Sequence, residues 1–184
     1  MSGKLTDRLP PELQSLIELL VLCAVAFVIV RGGIQPYVVQ PFAIPTGSMI
    51  PTIQIGDMVV AEKLTYRFSH GPEQGDIVVF ADPTGDHDQL IKRVIATSGQ
   101  TVDIHDGKVW IDGEELDEPY IHDVSSQPGT VKLPVTLEDG ELWMMGDNRP
   151  ESHDSRYFGP QPVSAVKARA IWTHWPLKRF GKLE

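Results

Sequence analysis

The sequence predicts a mainly β protein, an antiparallel and partly closed sheet assembly that follows one N-terminal transmembrane helix. Three observations predict this fold class. Residues 19–30 form an unbroken apolar run, which is typical of a helix that crosses a bilayer. Two Asp-Gly pairs separate runs in which apolar and polar residues alternate, and this pattern indicates β-hairpins. Helical periodicity is scarce after residue 35.

The apolar run belongs to the first predicted element. A helix from Pro11, a residue tolerated in a first turn, to Arg31 would be about 31 Å long, close to the bilayer core of about 30 Å. A buried core helix is one alternative, although such helices seldom carry so long an apolar run. A cleaved secretory signal is another, but no small-x-small cleavage site follows Val30, so we expect an uncleaved anchor.

Charges on the two sides of this helix predict its orientation. Lys4 and Arg8 precede it and Arg31 is the nearest charge beyond it, so the positive-inside rule favours a cytoplasmic N-terminus. The predicted organisation is a short cytoplasmic tail at residues 1–10, a transmembrane anchor at 11–31 and an extracytoplasmic β domain at 32–184.

The β domain is predicted from its turns. The pairs Asp106-Gly107 and Asp139-Gly140 each lie between two alternating runs, and Asp-Gly readily supplies a type I′ turn. The runs of these two hairpins are residues 101–105 with 108–112, and 135–138 with 141–145. Further strands are predicted at residues 57–62, 77–80, 90–96 and 167–172. Residues 112–134 are rich in loops, and their carboxylates are interpreted as a solvated face.

Composition excludes several functional classes. A net charge of −9 argues against nucleic acid as a partner. Cys23 is the single cysteine, so no internal disulfide forms and zinc-ligand spacings are absent. The sequences Asp86-His87-Asp88 and His153-Asp154 lack a recognised metal-ligand spacing, and solvated loops explain them better. We therefore expect neither a metal nor a cofactor.

Ser48 is a candidate nucleophile. It follows Gly47 between Pro45 and Pro51, and a constrained backbone suits a side chain that must be presented to a substrate. An ordinary turn is the alternative, because Gly, Pro and Ser are common turn residues. Ser48 does not lie in a Gly-x-Ser-x-Gly elbow, so an α/β-hydrolase mechanism is not supported.

The sequence offers two kinds of general base for such a serine. Any of six histidines would serve, and their spacing selects none of them; they are His70, His87, His105, His122, His153 and His174. The other candidate is Lys92, which shares one face of a predicted strand with Leu90 and Val94. Burial would have to lower its pKa from about 10.4 to about 7. A surface lysine, with Arg93 turned inward, is the alternative.

A polar cluster at residues 146–156 directly follows a predicted strand. A plain surface loop is one interpretation. Loops at strand ends are also where functional sites are commonly built, so this cluster is a candidate third component of a site.

Four segments, taken together, carry a resemblance to a known family. They are Ile-Pro-Thr-Gly-Ser-Met-Ile-Pro-Thr at 44–52, Gly-Asp-Ile-Val-Val-Phe at 75–80, Ile-Lys-Arg-Val-Ile at 91–95, and Gly-Asp-Asn-Arg with Ser152 and Asp-Ser-Arg within 146–156. With the apolar helix before them, the chain resembles the bacterial type I signal peptidases, which are membrane-anchored serine proteases. The resemblance extends from the anchor to residues 172–175.

The resemblance implies a role for particular residues. Ser48 would be the nucleophile and Lys92 the general base, with Ser152 orienting the lysine amine through a hydrogen bond. The oxyanion donors would be the Ser48 backbone N–H and the Thr46 hydroxyl. Asp154, paired with Arg93 or Arg156, would hold the loop that carries Ser152. The residues implied to line the substrate pocket, for which core packing is the alternative, are Ile44, Met49, Leu90 and Ile91.

The implied activity is removal of N-terminal signal peptides from exported preproteins, with cleavage after an Ala-x-Ala sequence through an acyl-enzyme. The implied setting is the bacterial cytoplasmic membrane, with the lipid bilayer as a partner and the protein export machinery nearby. Residues 96–100 depart from the family pattern, and Thr46 stands where many relatives have serine. Three rivals remain: a soluble repressor-type autoprotease, the eukaryotic branch that uses histidine, and an inactive membrane-tethered β module.

Overall fold

The computed structural model describes residues 10–34, 38–68, 70–122 and 124–183. The chain forms two compact units, Met1–Val38 and Val39–Glu184, and each is described by itself.

The first unit contains the expected apolar helix. Helix α1 spans Pro11–Val28 and continues as a π-helix over Ile29–Ile34. Proline is favourable at the helix start because the first N–H groups have no intrahelical partner. Within Pro11–Gly32 an 18-residue stretch has a mean hydropathy of 2.5 and none of that stretch is buried within the protein, so the helix is long and apolar enough to cross a membrane.

The second unit is built from two antiparallel sheets. The strands are β1 Val39–Ala43, β2 Met58–Glu62, β3 Ile77–Ala81, β4 Gln89–Thr97, β5 Thr101–His105, β6 Lys108–Ile111, β7 Glu114–Glu115, β8 Val135–Thr136, β9 Glu141–Met145, β10 Gln161–Pro162, β11 Val166–Trp175 and β12 Gly181–Lys182. Two one-turn helices are α2 Thr65–Phe68 and α3 Ser155–Phe158. The predicted mainly β fold with one N-terminal apolar helix is confirmed.

The larger sheet has the order β1-β2-β11-β3-β4-β9-β10, and β12 pairs with β11. Its strands pair antiparallel throughout. Register shifts interrupt β4 and β11, and such irregularities bend a strand and increase the local twist of a sheet. The smaller sheet has the order β7-β6-β5-β8.

One of the two predicted hairpins forms and the other does not. Strands β5 and β6 pair across Asp106 and Gly107, whose φ angles of 54° and 78° suit a type I′ turn. The predicted pairing of 135–138 with 141–145 is wrong, because β8 pairs with β5 and β9 pairs with β4 and β10. Positive φ falls on Gly140 but not on Asp139. Strand β9 is almost wholly buried, so it requires neighbours on both edges.

Strand β4 is buried on both faces. Val94 packs in a cluster with Val78, Phe80 and Met144, whereas Ile95 belongs to the cluster that contains Trp143. This burial decides between the two alternatives for Lys92. Both Lys92 and Arg93 are inside the protein, at 3% and 2% exposure.

The stretch 112–134 is only in part the solvated face expected of it. Glu114, Glu115 and Asp117 are exposed. The Glu118 carboxylate is buried and forms an ion pair with Arg149. The Tyr120 hydroxyl donates to the same carboxylate at 2.8 Å. The expectation fails for Glu118 because a buried arginine needs a carboxylate partner.

Candidate active site

The turn that follows β1 presents Ser48. The Ile50 N–H donates to the Gly47 carbonyl oxygen at 3.1 Å, and the Ile53 N–H donates to the Met49 carbonyl oxygen at 2.9 Å. These bonds close a turn with Ser48 near its start. The Ser48 side chain is almost entirely inside the protein, at 7% exposure.

Lys92 and Ser48 are in direct contact. Lys92 Nζ donates a hydrogen bond to Ser48 Oγ at 2.8 Å. Burial lowers the pKa of Lys92 to about 8, although the Asp154 carboxylate acts in the opposite direction. The mechanism of this shift is that a charged ammonium loses hydration when it is buried. About half of the amine is therefore neutral at pH 8 and about a tenth at pH 7. A neutral amine can accept the serine proton.

The six histidines, all of them in the described part of the chain, do not contact Ser48 through a hydrogen bond there, unlike Lys92. His87 and His153 line a cavity that Ser48 also lines. His153 stacks on Tyr157 with ring centroids 5.1 Å apart. Among these candidates, only Lys92 forms a hydrogen bond with Ser48 in the described part of the chain.

The polar cluster after β9 packs at Gly146 against the turn of residues 47–53, which carries Ser48 and is called the nucleophile turn after its proposed role. A β-carbon on Gly146 would overlap the Ser48 carbonyl oxygen and the Ser152 hydroxyl. The glycine thus lets the two segments approach closely. Its N–H donates to Asp154 Oδ2 at 3.0 Å. This bond joins the beginning of the polar cluster to its end.

Asp154 and Arg156 form a buried ion pair. Arg156 Nε donates to Asp154 Oδ1 and Arg156 Nη2 donates to Asp154 Oδ2, both at 2.8 Å. Arg156 Nη2 also donates to the Ser152 carbonyl oxygen at 3.2 Å. Of the two expected partners for Asp154, the structure selects Arg156.

Arg93, the other expected partner, pairs with Asp147 instead. Its Nε lies 2.9 Å from Asp147 Oδ1 and its Nη2 lies 2.8 Å from Asp147 Oδ2. The Thr52 hydroxyl donates to Asp147 Oδ2 at 2.5 Å. The reason is the strand register, since Arg93 lies opposite Met145, two residues before Asp147. Asp147 therefore connects β4 with the end of the nucleophile turn.

Asp147 and Asn148 both form hydrogen bonds with the turn that holds Ser48, and the sequence analysis assigned neither of them a role. Asn148 donates from its N–H to the Ser48 carbonyl oxygen and from Nδ2 to the Gly47 carbonyl oxygen, both at 3.0 Å. The available signal was their place in the polar cluster immediately after a buried strand. Which polar residue meets which partner depends on the packing of distant segments.

Ser152 is buried, at 5% exposure. Its hydroxyl oxygen has no hydrogen-bond partner among the residues that the structure describes. The bond to the Lys92 amine that the resemblance implies is therefore not formed in this structure.

An apolar cleft of about 140 Å³ adjoins Ser48. Three of the four expected pocket residues, Ile44, Leu90 and Ile91, lie in its wall. Thr46 lines it as well and is exposed. The structure corrects the placement of Met49, which has 0% exposure and packs in the core with Ile53. The Met49 side chain is therefore part of the core and not of the cleft wall.

A second, more polar cavity of about 320 Å³ also reaches Ser48 and Lys92. Its wall includes three acidic side chains, which are Asp82, Asp86 and Glu151. Ser48 thus lies where an apolar cleft and a polar cavity meet.

Comparison with known proteins places the chain in one family. The profile of the family described as signal peptidase, peptidase S26, matches residues 15–175. The chain is 39% identical over 165 residues to a probable signal peptidase I-2 of Synechocystis, which covers 86% of this chain and 73% of that protein. It is 36% identical over 164 residues to a signal peptidase I of Leptolyngbya laminosa, which covers 85% and 78%.

An organellar relative and a solved structure also match. A probable thylakoidal processing peptidase 2 of Arabidopsis thaliana is 35% identical over 152 residues, which covers 78% of this chain and 40% of that protein. A crystal structure of a signal peptidase I from Enterococcus faecalis is 31% identical, with a TM-score of 0.48, and covers 53% of this chain and 95% of that chain. From the extent of the profile match and the identity to these relatives, the chain belongs to the signal peptidase family, peptidase S26, a family of serine peptidases.

Proposed function

We propose that this chain is a membrane-bound endopeptidase that removes N-terminal signal peptides from exported preproteins by means of a Ser48–Lys92 dyad. The observation that carries the proposal is the 2.8 Å hydrogen bond between Lys92 Nζ and Ser48 Oγ, made by a lysine whose pKa burial has lowered to about 8. A nucleophile in contact with a base that loses its proton far more readily than an ordinary lysine is what covalent catalysis requires.

The first half of the reaction acylates Ser48. The neutral Lys92 amine takes the Ser48 proton while Oγ attacks the scissile carbonyl carbon. The oxygen of that carbonyl becomes negatively charged and accepts hydrogen bonds from the Ser48 N–H and the Thr46 hydroxyl. The tetrahedral intermediate then collapses, the peptide C–N bond breaks, and the Lys92 ammonium donates its proton to the departing amine.

The second half releases the signal peptide from Ser48. A water molecule gives a proton to the Lys92 amine and attacks the ester carbonyl carbon. The same donors stabilise the second oxyanion. Collapse expels Ser48 Oγ, which recovers its proton from Lys92, and the signal peptide leaves with a carboxylate.

Ser152, Asp154 and Arg156 act on the environment of Lys92. Ser152 is proposed to accept a hydrogen bond from the Lys92 amine when substrate is bound, which would orient its lone pair toward Ser48. The buried Asp154–Arg156 pair fixes the segment that carries Ser152, because Arg156 bonds both the carboxylate and the Ser152 carbonyl oxygen. The Arg93–Asp147 pair holds the neighbouring segment through Thr52.

The apolar cleft supports cleavage after small residues such as Ala-x-Ala. A short segment of substrate would have to share its volume of about 140 Å³. Ile44, Leu90 and Ile91 narrow it next to Ser48. Side chains at positions −1 and −3 of the substrate would enter this cleft, and only small ones would fit.

The membrane setting of the proposal is the bacterial cytoplasmic membrane. The segment Pro11–Gly32 would span it, with residues 1–10 in the cytoplasm and the catalytic β domain on the outer side. Ser48 follows Arg31 by 17 residues, so a short tether would keep the nucleophile near the surface where a translocating preprotein emerges from the export machinery.

The test is cleavage of a preprotein with an Ala-x-Ala site by the full chain in detergent, with the cut located by mass spectrometry. Wild-type protein should cut after the second alanine, and Ser48→Ala and Lys92→Ala should each lose most of the rate. Activity in Lys92→Ala would assign the base to another residue. An inert wild-type protein in both detergent and lipid would favour a membrane-tethered β module without catalysis.

A further inference from the structure

Asn148 makes two hydrogen bonds to consecutive residues of the nucleophile turn. Its side-chain Nδ2 donates to the Gly47 carbonyl oxygen at 3.0 Å, and its backbone N–H donates to the Ser48 carbonyl oxygen at 3.0 Å. Asn148 is half-buried and comes from the segment after β9, about a hundred residues away in the chain. A residue from outside the turn therefore holds the two carbonyl oxygens that flank the Ser48 backbone, one through its side chain and one through its own N–H.

The Gly47 carbonyl and the Ser48 N–H belong to the same peptide group. A peptide group is planar and almost always trans, so its C=O and its N–H point in opposite directions. A donor that holds the carbonyl oxygen consequently fixes the direction of the N–H on the other side. Asn148 Nδ2 thus sets the orientation of the Ser48 N–H.

The Ser48 N–H is available for a substrate. No acceptor for it occurs among the described residues of the chain. The carbonyl oxygen of the same peptide, by contrast, receives both Asn148 Nδ2 and the Ile50 N–H. Hydrogen bonds to a carbonyl polarise the peptide, which strengthens the donor at its other end.

We infer that Asn148 is a positioning residue for the oxyanion site, acting through the Gly47–Ser48 peptide rather than on the substrate. This inference rests on the proposed function, in which the Ser48 N–H stabilises the oxyanion. The requirement is for a donor at this point. An aspartate of the same shape would place a carboxylate oxygen against the Gly47 carbonyl oxygen and turn an attraction into a repulsion.

The support behind Asn148 is itself rigid. Its neighbour Asp147 is held by Arg93 at 2.8 and 2.9 Å and by Thr52 at 2.5 Å. The Glu151 N–H donates to the Asn148 carbonyl oxygen at 3.0 Å. The amide of Asn148 is therefore presented by a fixed backbone, as accurate placement of a catalytic donor requires.

The test compares Asn148→Ala and Asn148→Asp with wild-type protein as full chains in detergent. Three experiments are made: kcat and KM are determined for a preprotein, the pH dependence of kcat/KM is recorded, and the inhibition constant of a substrate-like peptide aldehyde is measured. The aldehyde forms a hemiacetal with Ser48 whose oxygen occupies the oxyanion position. Gln74→Ala is the matched control, because its amide also donates to a backbone carbonyl, that of Ile95 at 2.8 Å.

We expect kcat to fall about 10- to 100-fold in Asn148→Ala and further in Asn148→Asp, with KM nearly unchanged, because an oxyanion donor acts in the transition state. The aldehyde inhibition constant should rise by a similar factor, and the pH limb that belongs to Lys92 should stay in place. Gln74→Ala should match wild type in all three experiments.

Two results would overturn the inference. One is an unchanged kcat and aldehyde affinity in folded Asn148→Ala; the other is a rise in KM with kcat preserved. Should Asn148→Ala not fold, Asn148→Asp is judged by the same measurements, and Asn148→Gln, which keeps the donor, should recover part of kcat. Ser48→Ala separates the two proposals: if it still cleaves, the proposed function fails too, and if it is inactive while the Asn148 variants behave as wild type, only this inference fails.

Discussion

Gly146 packs so closely against Ser152 that a β-carbon on the glycine would lie 2.6 Å from Ser152 Cβ. The same β-carbon would overlap the carbonyl oxygen of Ser48. Real β-carbons essentially never approach other atoms this closely, so the contact between the nucleophile turn and the segment after β9 depends on glycine. The relative position of Ser48 and Ser152 is thus set at a residue that has no side chain.

Gly146→Ala should therefore inactivate the enzyme. The added methyl group has to push away either the Ser48 backbone or Ser152, and a displacement of about 1 Å in a catalytic site costs on the order of 100-fold in rate. Preprotein cleavage by the purified variant measures the loss. Gly71→Ala is the control for rate, since no atom lies within 4 Å of its β-carbon position and its φ is not positive. Activity of Gly146→Ala within threefold of wild type would contradict the packing.

The pH dependence of cleavage should report the ionisation of Lys92. Its pKa is lowered by burial to about 8, and only the neutral amine can accept the Ser48 proton. Below pH 8 the protonated fraction grows, so kcat/KM should fall about tenfold for each pH unit toward acid. The measurement is kcat/KM from pH 5 to 10 at constant ionic strength. A limb near pH 6.5 would instead indicate a histidine base.

Lys92→Met should separate activity from stability. In the folded state Lys92 has a pKa of about 8, against its ordinary value of 10.5. As pH falls from 10.5 to 8, the unfolded chain binds a proton that the folded chain does not, so lysine destabilises the wild type progressively in this window. The variant should be inactive, and its advantage in thermal midpoint over wild type should be larger at pH 6.5 than at pH 10. An equal difference at both pH values would contradict the burial of the amine.

Local sequence pattern was sufficient for some elements of the fold. The apolar run predicts α1, and alternating runs around Asp106-Gly107 predict the β5–β6 hairpin, because both are set by neighbouring residues. The hairpin predicted at the second Asp-Gly pair does not form, because β9 pairs in the larger sheet with β4, which lies more than forty residues earlier. Non-local pairing of this kind leaves no signal in the turn itself.

In the site, too, some features follow from local sequence and others depend on non-local pairing. Ser48 and Lys92 follow from short motifs, and the structure brings them to 2.8 Å. The partner of Asp154 could not be chosen from sequence, because Arg93 and Arg156 were both candidates. The β4–β9 register assigns Arg93 to Asp147 and leaves Arg156 for Asp154.

The Asp154–Arg156 pair should contribute far more to the free energy of unfolding than an exposed pair of the same chemistry. Asp154→Asn leaves the Arg156 guanidinium buried with a weaker partner, and breaking a buried pair costs about 3 to 5 kcal/mol. Urea unfolding of the variant, followed by intrinsic fluorescence, measures the loss. The control is Glu115→Gln, which removes the Lys108–Glu115 pair at the surface and should cost less than about 1 kcal/mol. Similar losses in the two variants would show that Asp154 does not carry the expected stability.

The walls of the apolar cleft should set which side chains are accepted next to the cut. Ile91 lines the cleft and is partly exposed to it, so Ile91→Ala should enlarge the space beside Ser48 and allow cleavage after valine or leucine. One added methylene in an apolar pocket is worth about 1 to 3 kcal/mol, which corresponds to a change of about 10- to 200-fold in the ratio of kcat/KM values for large and small residues. Preproteins that differ only at position −1 provide the measurement. Met49→Leu is the matched control, because Met49 lies in the core with 0% exposure; it should cost less than about 1.5 kcal/mol in stability and leave the ratio unchanged. If Met49→Leu alters the ratio and Ile91→Ala does not, Met49 rather than Ile91 forms the substrate wall.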